Sequence, residues 1–172
     1  MNDAAALRAR CRLLLRHGIR PALDLLGADK FAAPSAIALM LAIAMQESRI
    51  LHRAQIDGPT RGFYQFERGG GVAGVLNHAA TRGHAIAACE QLLIDPSPAE
   101  VYAAIRYNDI LASTFARLLL WASPASLPTA DAGPDPAWRY YIEQWRPGKP
   151  HADTWPEFWE AGWSVAEWGD DA

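Results

Sequence analysis

One acidic residue stands where an ionised side chain is hard to accommodate. Glu47 lies at the end of the most apolar run in the chain, residues 36–45. Burying a carboxylate without a partner costs free energy because the charge loses its hydration. Apolar surroundings and the negative end of a helix dipole both raise the pKa of such a group. A carboxyl group that stays protonated near neutral pH can act as a general acid, so Glu47 is the first candidate for catalysis.

The segment that begins fifteen residues after Glu47 has the residue types of a groove wall. Gly62 permits close backbone approach. The amide of Gln65 can bind hydroxyl or acetamido groups. Between them, Phe63 and Tyr64 offer a flat aromatic surface for sugar rings. We therefore predict that this segment folds back over the helix end and forms one side of a groove.

Two further positions complete the candidate site. Ser48 directly follows Glu47, and we expect it to cap the helix end or to orient the next segment. The pair Tyr107-Asn108 lies at the boundary between two predicted helices. A tyrosine hydroxyl at that boundary could hydrogen-bond the Glu47 carboxyl group and hold its orientation.

Three short motifs occur in an order typical of one family: Glu47-Ser48, then Gly62-Phe63-Tyr64-Gln65, then Tyr107-Asn108. In this order they resemble the lysozyme-like transglycosylases, which carry a Glu-Ser pair, a later Gly-x-x-Gln motif and a Tyr-Asn pair. The resemblance covers roughly residues 34–122. It departs from the family where an Asn-Pro pair usually follows Glu-Ser, since the chain reads Arg49-Ile50 there. It departs again where Ala-Gly usually follows Tyr-Asn, since the chain reads Asp109-Ile110.

The resemblance implies a mainly α, lysozyme-like fold with a central buried helix and a short irregular or β-like segment after it. It implies cleavage of the β-1,4 bond between N-acetylmuramic acid and N-acetylglucosamine in peptidoglycan strands, by a muramidase or a lytic transglycosylase. Glu47 would protonate the leaving oxygen. In the transglycosylase route the same residue then acts as a base while the sugar's own C6 hydroxyl closes an anhydro ring. No cofactor is expected.

A hydrolase would need a second group to activate water or to act as a nucleophile. The candidates are Asp57, Glu67 and Asp109, and Asp57 is the best of them because its Asp-Gly-Pro loop should line the groove. The sequence leaves hydrolysis and transglycosylation both open.

Each of these residues also has a purely structural interpretation. Glu47 could be a helix-terminal acid paired with an arginine such as Arg53 or Arg61. Gln65 and Tyr107 could serve packing alone. Two alternative functions follow: a catalytically inactive, lysozyme-like phage structural or assembly protein, and a chitinase-like glycosidase.

The elements that must position the site are predicted to be nearly all helical. The 172 residues predict one domain: N-terminal helices in 1–33, a catalytic core in 34–122, and a Pro-rich loop with Trp-rich helices in 123–172. Gly18 should end an amphipathic helix over 3–17, and Gly27 should close a short one opened by Pro21. Further helices are expected at 34–48, 72–80, 84–94, 98–106, 109–121, 136–145 and from 155 onward, with capping boxes at Ser97 and Thr154.

Net charge and the positions of the tryptophans indicate which kinds of partner the protein could bind. A net charge of −3 gives no case for nucleic-acid binding. Trp155, Trp159, Trp163 and Trp168 lie on one side of a helix. They either pack onto the domain or form an aromatic surface for sugars or for a protein partner such as a phage virion.

The cysteines, the histidines and the apolar segments bear on metal binding and on where the protein is located. Cys11 and Cys89 form no CxxC motif and are expected to be small buried hydrophobes, although one disulfide remains open. The histidine spacings match no helical ligand pair, so no metal is expected. The ten-residue apolar run is shorter than the roughly 20 residues that span a bilayer. The N-terminus lacks a signal-peptide pattern. We expect cytoplasmic synthesis and delivery to the cell wall by a phage or holin.

Overall fold

The computed structural model describes residues 3–55 and 57–168, apart from the side chains of Asp3 and Trp168. Within those ranges the chain is mainly α-helical, and strand-like pairing is limited to two isolated antiparallel bridges, Ala54–Arg61 and Arg61–Phe66. The α-helices are α1 (Asp3–Leu14), α2 (Arg20–Leu26), α3 (Ala28–Phe31), α4 (Pro34–Ser48), α5 (Ala73–Asn77), α6 (Arg82–Gln91), α7 (Pro98–Ile105), α8 (Asp109–Ala122), α9 (Pro134–Trp145) and α10 (Trp155–Trp168). Short π-helical turns cover Leu15–Ile19 and Arg68–Val72, and 3-10 turns cover Ala130–Ala132 and Ala152–Thr154.

Helix α4 lies at the centre of the molecule. It begins at Pro34, where the missing N–H costs no hydrogen bond because the first helical position has no acceptor for it. Ala36 and every residue from Ala38 to Met45 are buried. A helix that is apolar all round has to be covered on every side, as the sequence predicted for this one.

Helix α10 covers α4 at very short range. A Cβ placed on Gly162 would lie 2.5 Å from the carbonyl oxygen of Ala38, so only glycine allows the two backbones to approach this closely. Trp155 and Trp159 are buried in the same contact. The packing interpretation of the tryptophans is therefore confirmed for these two, while the side chain of Trp168 lies outside the described residues.

The predicted helix end at Gly18 is wrong. Helix α1 continues through the π-helical turn at Leu15–Ile19 directly into α2. Gly18 lies against α8, and a Cβ on it would come 3.1 Å from Ser113 Oγ and 2.9 Å from Leu14 Cδ1. This glycine permits close packing between helices, which sequence cannot distinguish from a helix stop. Gly27, with φ 95°, does end α2 as predicted.

Capping matches the prediction at Ser97, and a second cap, which the sequence analysis did not predict, is at Asn108. The Ser97 hydroxyl accepts a hydrogen bond from the Glu100 N–H at the start of α7, at 3.3 Å. Asn108 caps α8 by accepting from the Leu111 N–H at 2.9 Å. At Thr154, the hydroxyl donates to the Gln46 side-chain oxygen at 3.1 Å, which joins the start of α10 to α4.

Both cysteines are buried and carry free thiols. Burial raises the pKa of Cys11 to about 12 and that of Cys89 to about 11. Among the described residues, none of the helices combines the length and the apolar character that a bilayer-spanning segment requires.

Candidate active site around Glu47

Glu47 lies in the last turn of α4 and is partly buried. The Tyr141 hydroxyl donates a hydrogen bond to its Oε1 atom at 2.6 Å. Burial raises the pKa of Glu47 to about 7, and the hydrogen bond from Tyr141 opposes this rise because it stabilises the carboxylate. Since Oε1 accepts this bond, a proton on the carboxyl group would reside on Oε2. The group can therefore give up and take back a proton near neutral pH.

Tyr141 is held rigidly by the C-terminal helices. Its ring stacks on Trp155 with centroids 4.9 Å apart and packs against Trp138 at 5.3 Å. It is almost fully buried on α9. Its position 94 residues after Glu47 gives no local sequence signal for the contact. An amphipathic pattern places Tyr141 on the buried face of its helix, but no periodicity could show which polar group it meets there.

Tyr107, which the sequence predicted as the hydroxyl partner of Glu47, does not take that role. It follows the end of α7 and is 73% exposed, with the Arg106 guanidinium 5.2 Å from its ring. The prediction was wrong because the helix-boundary turn directs this side chain outward. Its neighbour Asn108 acts as the cap of α8.

Ser48 joins the end of α4 to the segment that follows. Its Oγ lies 2.8 Å from the Phe63 carbonyl oxygen and 3.0 Å from that of Ala44, and it accepts a hydrogen bond from the Ile50 N–H at 3.2 Å. The side chain is 4% exposed. A buried hydroxyl with three backbone contacts fixes the path of residues 62–66 beside Glu47.

Gly62 and Gln65 hold the same segment in a left-handed turn. Gly62 has φ 72°, and a Cβ on it would lie 2.8 Å from Ile105 Cγ2, so glycine is required for the approach to α7. Gln65 has φ 51° and donates from Nε2 to the Gly62 carbonyl at 2.8 Å and to the His52 carbonyl at 3.2 Å. Its Oε1 accepts from the Thr60 hydroxyl. In this structure the Gln65 amide braces the loop.

The expected aromatic platform is absent at Tyr64, which is fully buried. Its hydroxyl lies 3.4 Å from Ser113 Oγ, and its carbonyl accepts a hydrogen bond from the Trp145 indole N–H at 3.0 Å. Burial raises the pKa of this tyrosine. Phe63 is 8% exposed, and the Arg53 guanidinium covers its ring at 4.2 Å. An irregular segment has no period to show which side chains face inward, so the prediction of a sugar-stacking surface was wrong here.

The three candidates for a second catalytic carboxylate, Asp57, Glu67 and Asp109, are each either exposed or paired with an arginine. Both oxygens of Asp109 bind the Arg53 guanidinium. Asp57 and Glu67 are exposed. None of the three is among the groups that shift the pKa of Glu47, which are burial and Tyr141.

Arg53 and Arg61, the two arginines considered as ion-pair partners of Glu47, have other partners in the described part of the chain. Arg53 pairs with Asp109, and the Arg61 guanidinium lies over the Tyr102 ring at 4.1 Å. The side chain that contacts the Glu47 carboxyl group is the neutral Tyr141.

The chain matches no family model, and neither curated proteins nor solved structures show significant similarity to it. Across residues 3–55 and 57–168, no three His, Cys, Asp or Glu side chains are grouped so that they could hold a metal ion.

Proposed function

We propose that this protein has a lysozyme-like fold and cleaves the β-1,4 bond between N-acetylmuramic acid and N-acetylglucosamine in peptidoglycan. The observation that carries this proposal is the Glu47 carboxyl group, which has a pKa near 7 at the end of a buried helix and is oriented by Tyr141. A general acid works best when its pKa lies close to the operating pH.

The arrangement of the chain around Glu47 supports the fold part of the proposal. A central apolar helix ends in Glu47-Ser48, and an irregular segment with two isolated bridges follows it. Ser48 ties that segment to the helix end, and Gly62 brings it against α7. These are the positions at which the sequence resembles the lysozyme-like transglycosylases.

The proposed reaction needs one carboxyl group. Glu47 donates its proton to the oxygen that links the two sugars, and the bond from that oxygen to C1 of N-acetylmuramic acid breaks. The resulting carboxylate then accepts the proton of the C6 hydroxyl of the same sugar, while O6 forms a bond to C1. No water is consumed, and Glu47 ends the cycle protonated again.

We favour this transglycosylase route over hydrolysis because of the state of the other acids. An inverting hydrolase needs a base about 6.5–9.5 Å from the acid, and a retaining one needs a nucleophile about 5–5.5 Å away. Asp109 has both oxygens engaged by Arg53, and Asp57 and Glu67 are exposed. A residue whose pKa lies near 7 suits both halves of a cycle in which it is first acid and then base.

The first test is the clearing of a peptidoglycan suspension by the parent protein and by Glu47→Gln. Loss of a general acid should slow cleavage by roughly 10²- to 10⁴-fold. Glu90→Gln is the matched control, because it makes the same chemical change at an exposed carboxylate in α6, and it should retain parent activity. Full activity in Glu47→Gln would show that this residue is not the acid. Cleavage of chitin oligomers without clearing would show that the substrate is a polymer of N-acetylglucosamine.

Mass analysis of the released sugars separates the two routes. Transglycosylation gives products that end in an anhydro sugar, each lighter by one water than its hydrolytic counterpart. Products that carry a free reducing end would instead show that a water molecule is activated.

A second candidate function is that of a structural or assembly protein, for example of a phage, which keeps the same fold without the activity. The inward orientation of Tyr64 and the engagement of the Gln65 amide within its own loop favour it, since both were expected to contact sugars. A parent protein that neither clears peptidoglycan nor cuts chitin oligomers would support this candidate.

A further inference from the structure

A cavity of about 270 Å³ lies at the carboxyl end of α8 and shares no lining residue with the Glu47 site. Its wall combines the end of α8 with the loop that follows, and it is lined by Arg117, Leu120, Trp121, Ser123, Ala125 and Leu127. All but Arg117 and Ser123 are apolar. A cavity with apolar walls and a few polar groups has the composition of a small-molecule site.

The charged group in this cavity is unusual because it is buried. Arg117 is 2% exposed, and its Nε donates to the Phe31 carbonyl at 2.8 Å. The rings of Phe31 and Trp121 lie 5.2 Å and 5.4 Å from the guanidinium carbon. The Nη1 atom is also buried and has no hydrogen-bond partner among the described residues. A buried guanidinium with an unsatisfied donor is costly, and such a group calls for a partner outside the chain.

The neighbours of Arg117 do not neutralise it. Burial lowers its pKa to about 10, so the side chain is still charged at neutral pH. The titratable neighbour that affects this pKa is Tyr140, and its hydroxyl donates to the Leu120 carbonyl at 3.1 Å. The Lys30 ammonium adds positive charge beside the cavity, 4.9 Å from the centre of the Trp121 ring. The local field therefore favours an anion.

We infer that this cavity binds a small organic carboxylate, with its charged end on Arg117 and a short apolar body against Leu120, Trp121 and Leu127. With Nε bound to the Phe31 carbonyl, the two Nη groups of the guanidinium remain to donate charge-assisted hydrogen bonds to a carboxylate. The Ser123 hydroxyl offers a further polar contact at the wall. Apolar walls give an inorganic anion nothing to replace its hydration, so the organic ligand is favoured over phosphate or chloride.

The test titrates sodium hexanoate into the parent protein by calorimetry and follows the melting temperature in parallel. 1-Hexanol tests the need for the carboxylate, and sodium phosphate and sodium chloride test the need for the apolar body. Hexanoate should bind saturably and raise the melting temperature, and the other three should do neither. Arg117→Met should weaken hexanoate binding by at least about tenfold, as expected for loss of a charge-assisted pair. Arg82→Met, the same change at an exposed arginine, should leave it unchanged.

A third variant keeps the inference testable if Arg117→Met fails to fold. Leu127→Trp fills the cavity from the loop side and keeps Arg117, and it should abolish the hexanoate effect. Equal stabilisation by hexanoate and hexanol, or by hexanoate and chloride, would overturn the inference. So would unchanged hexanoate binding by Leu127→Trp, or no response of the parent protein to hexanoate.

Discussion

Two opposing effects determine the pKa of Glu47. Removal from water favours its protonated form, whereas the hydroxyl of Tyr141 favours its ionised form. The balance places the pKa near 7, far from the 4.5 of a free glutamate. Either effect alone would move the pKa of the group away from neutrality, so the contact with Tyr141 sets the pH at which Glu47 ionises as well as the orientation of the carboxyl group.

Replacing Tyr141 by phenylalanine tests this balance. The ring stacking on Trp155 is kept, but Oε1 of Glu47 loses its donor. The pKa of Glu47 should rise above 7, and the alkaline limb of the activity profile should move to higher pH, because the acid stays protonated longer. The maximal rate should fall by about tenfold as the carboxyl group loses its fixed orientation. The measurement is the rate of peptidoglycan clearing against pH.

Tyr140→Phe is the control for this prediction. It removes a buried hydroxyl from the adjacent residue, but that hydroxyl donates to the Leu120 carbonyl, away from Glu47. The alkaline limb of the activity profile of Tyr140→Phe should match that of the parent protein. Coinciding profiles for the two variants would rule out a role of Tyr141 in tuning the acid.

The site residues that sequence could predict are those that act close to their own place in the chain. Glu47 follows from an apolar run that ends in an acid, and Gly62 follows from a loop that needs a positive φ and a close approach. Tyr141 could not be predicted in this way, because its meeting with Glu47 depends on how α9 and α10 pack. The sequence points instead to Tyr107, because it lies beside a helix boundary, and that position leaves its side chain exposed.

At the scale of elements, the pairing of α10 with α4 is the contact on which the site depends. Gly162 lets α10 lie directly on the backbone of α4. Trp155, at the start of α10, then stacks on Tyr141 and holds it over the end of α4. The position of the hydroxyl beside Glu47 is therefore set by the distance between the two helices.

Gly162→Ala should destabilise the protein by about 1–3 kcal/mol, the usual cost of overpacking. A Cβ at this position would lie 2.5 Å from the Ala38 carbonyl oxygen, and backbone cannot move aside as a flexible side chain can. Urea denaturation measures the change. Gly83→Ala, in α6, is the matched control, because a Cβ there meets nothing within 4 Å. It should be neutral or stabilising, since alanine favours helix more than glycine does. Equal effects of the two variants would show that α10 can move away from α4 without cost.

The sequence alone does not show whether a glycine ends a helix or permits close packing against another one. Gly18 and Gly27 look alike as helix terminators, yet only Gly27 adopts a positive φ and ends its helix. Gly18 is used for contact with α8 instead, a reason that lies 95 residues away at Ser113. Prediction of the apolar helix α4 succeeded because burial on all faces is visible in composition, without knowledge of what covers it.

For the whole molecule, the end of α4 is a point where distant parts of the chain converge. The Arg10 side chain of α1 donates from Nε to the Arg49 carbonyl at 3.1 Å. The Arg49 guanidinium lies over the Phe158 ring of α10 at 4.4 Å. Glu47 lies at the same helix end, is partly buried and accepts a hydrogen bond from Tyr141 of α9. Because burial favours the protonated form of this acid, its ionisation opposes folding.

This cost should appear as a pH-dependent difference in stability between the parent protein and Glu47→Gln. Well below pH 4.5 the acid is protonated in both the folded and the unfolded chain, so the difference in stability between the two proteins should not change with pH there. As pH rises from 4.5 to 7 the unfolded chain ionises first, and the parent protein loses stability. Above pH 7 the change should level off, with the parent protein having lost about 3 kcal/mol relative to the variant. Urea denaturation at pH 4 and pH 8 measures it, with Glu67→Gln, at an exposed carboxylate, as a control that should show the same small difference at both pH values. A Glu47→Gln difference that is identical at pH 4 and pH 8 would show that the acid ionises freely in the folded protein, and the proposed general acid would lose its physical basis.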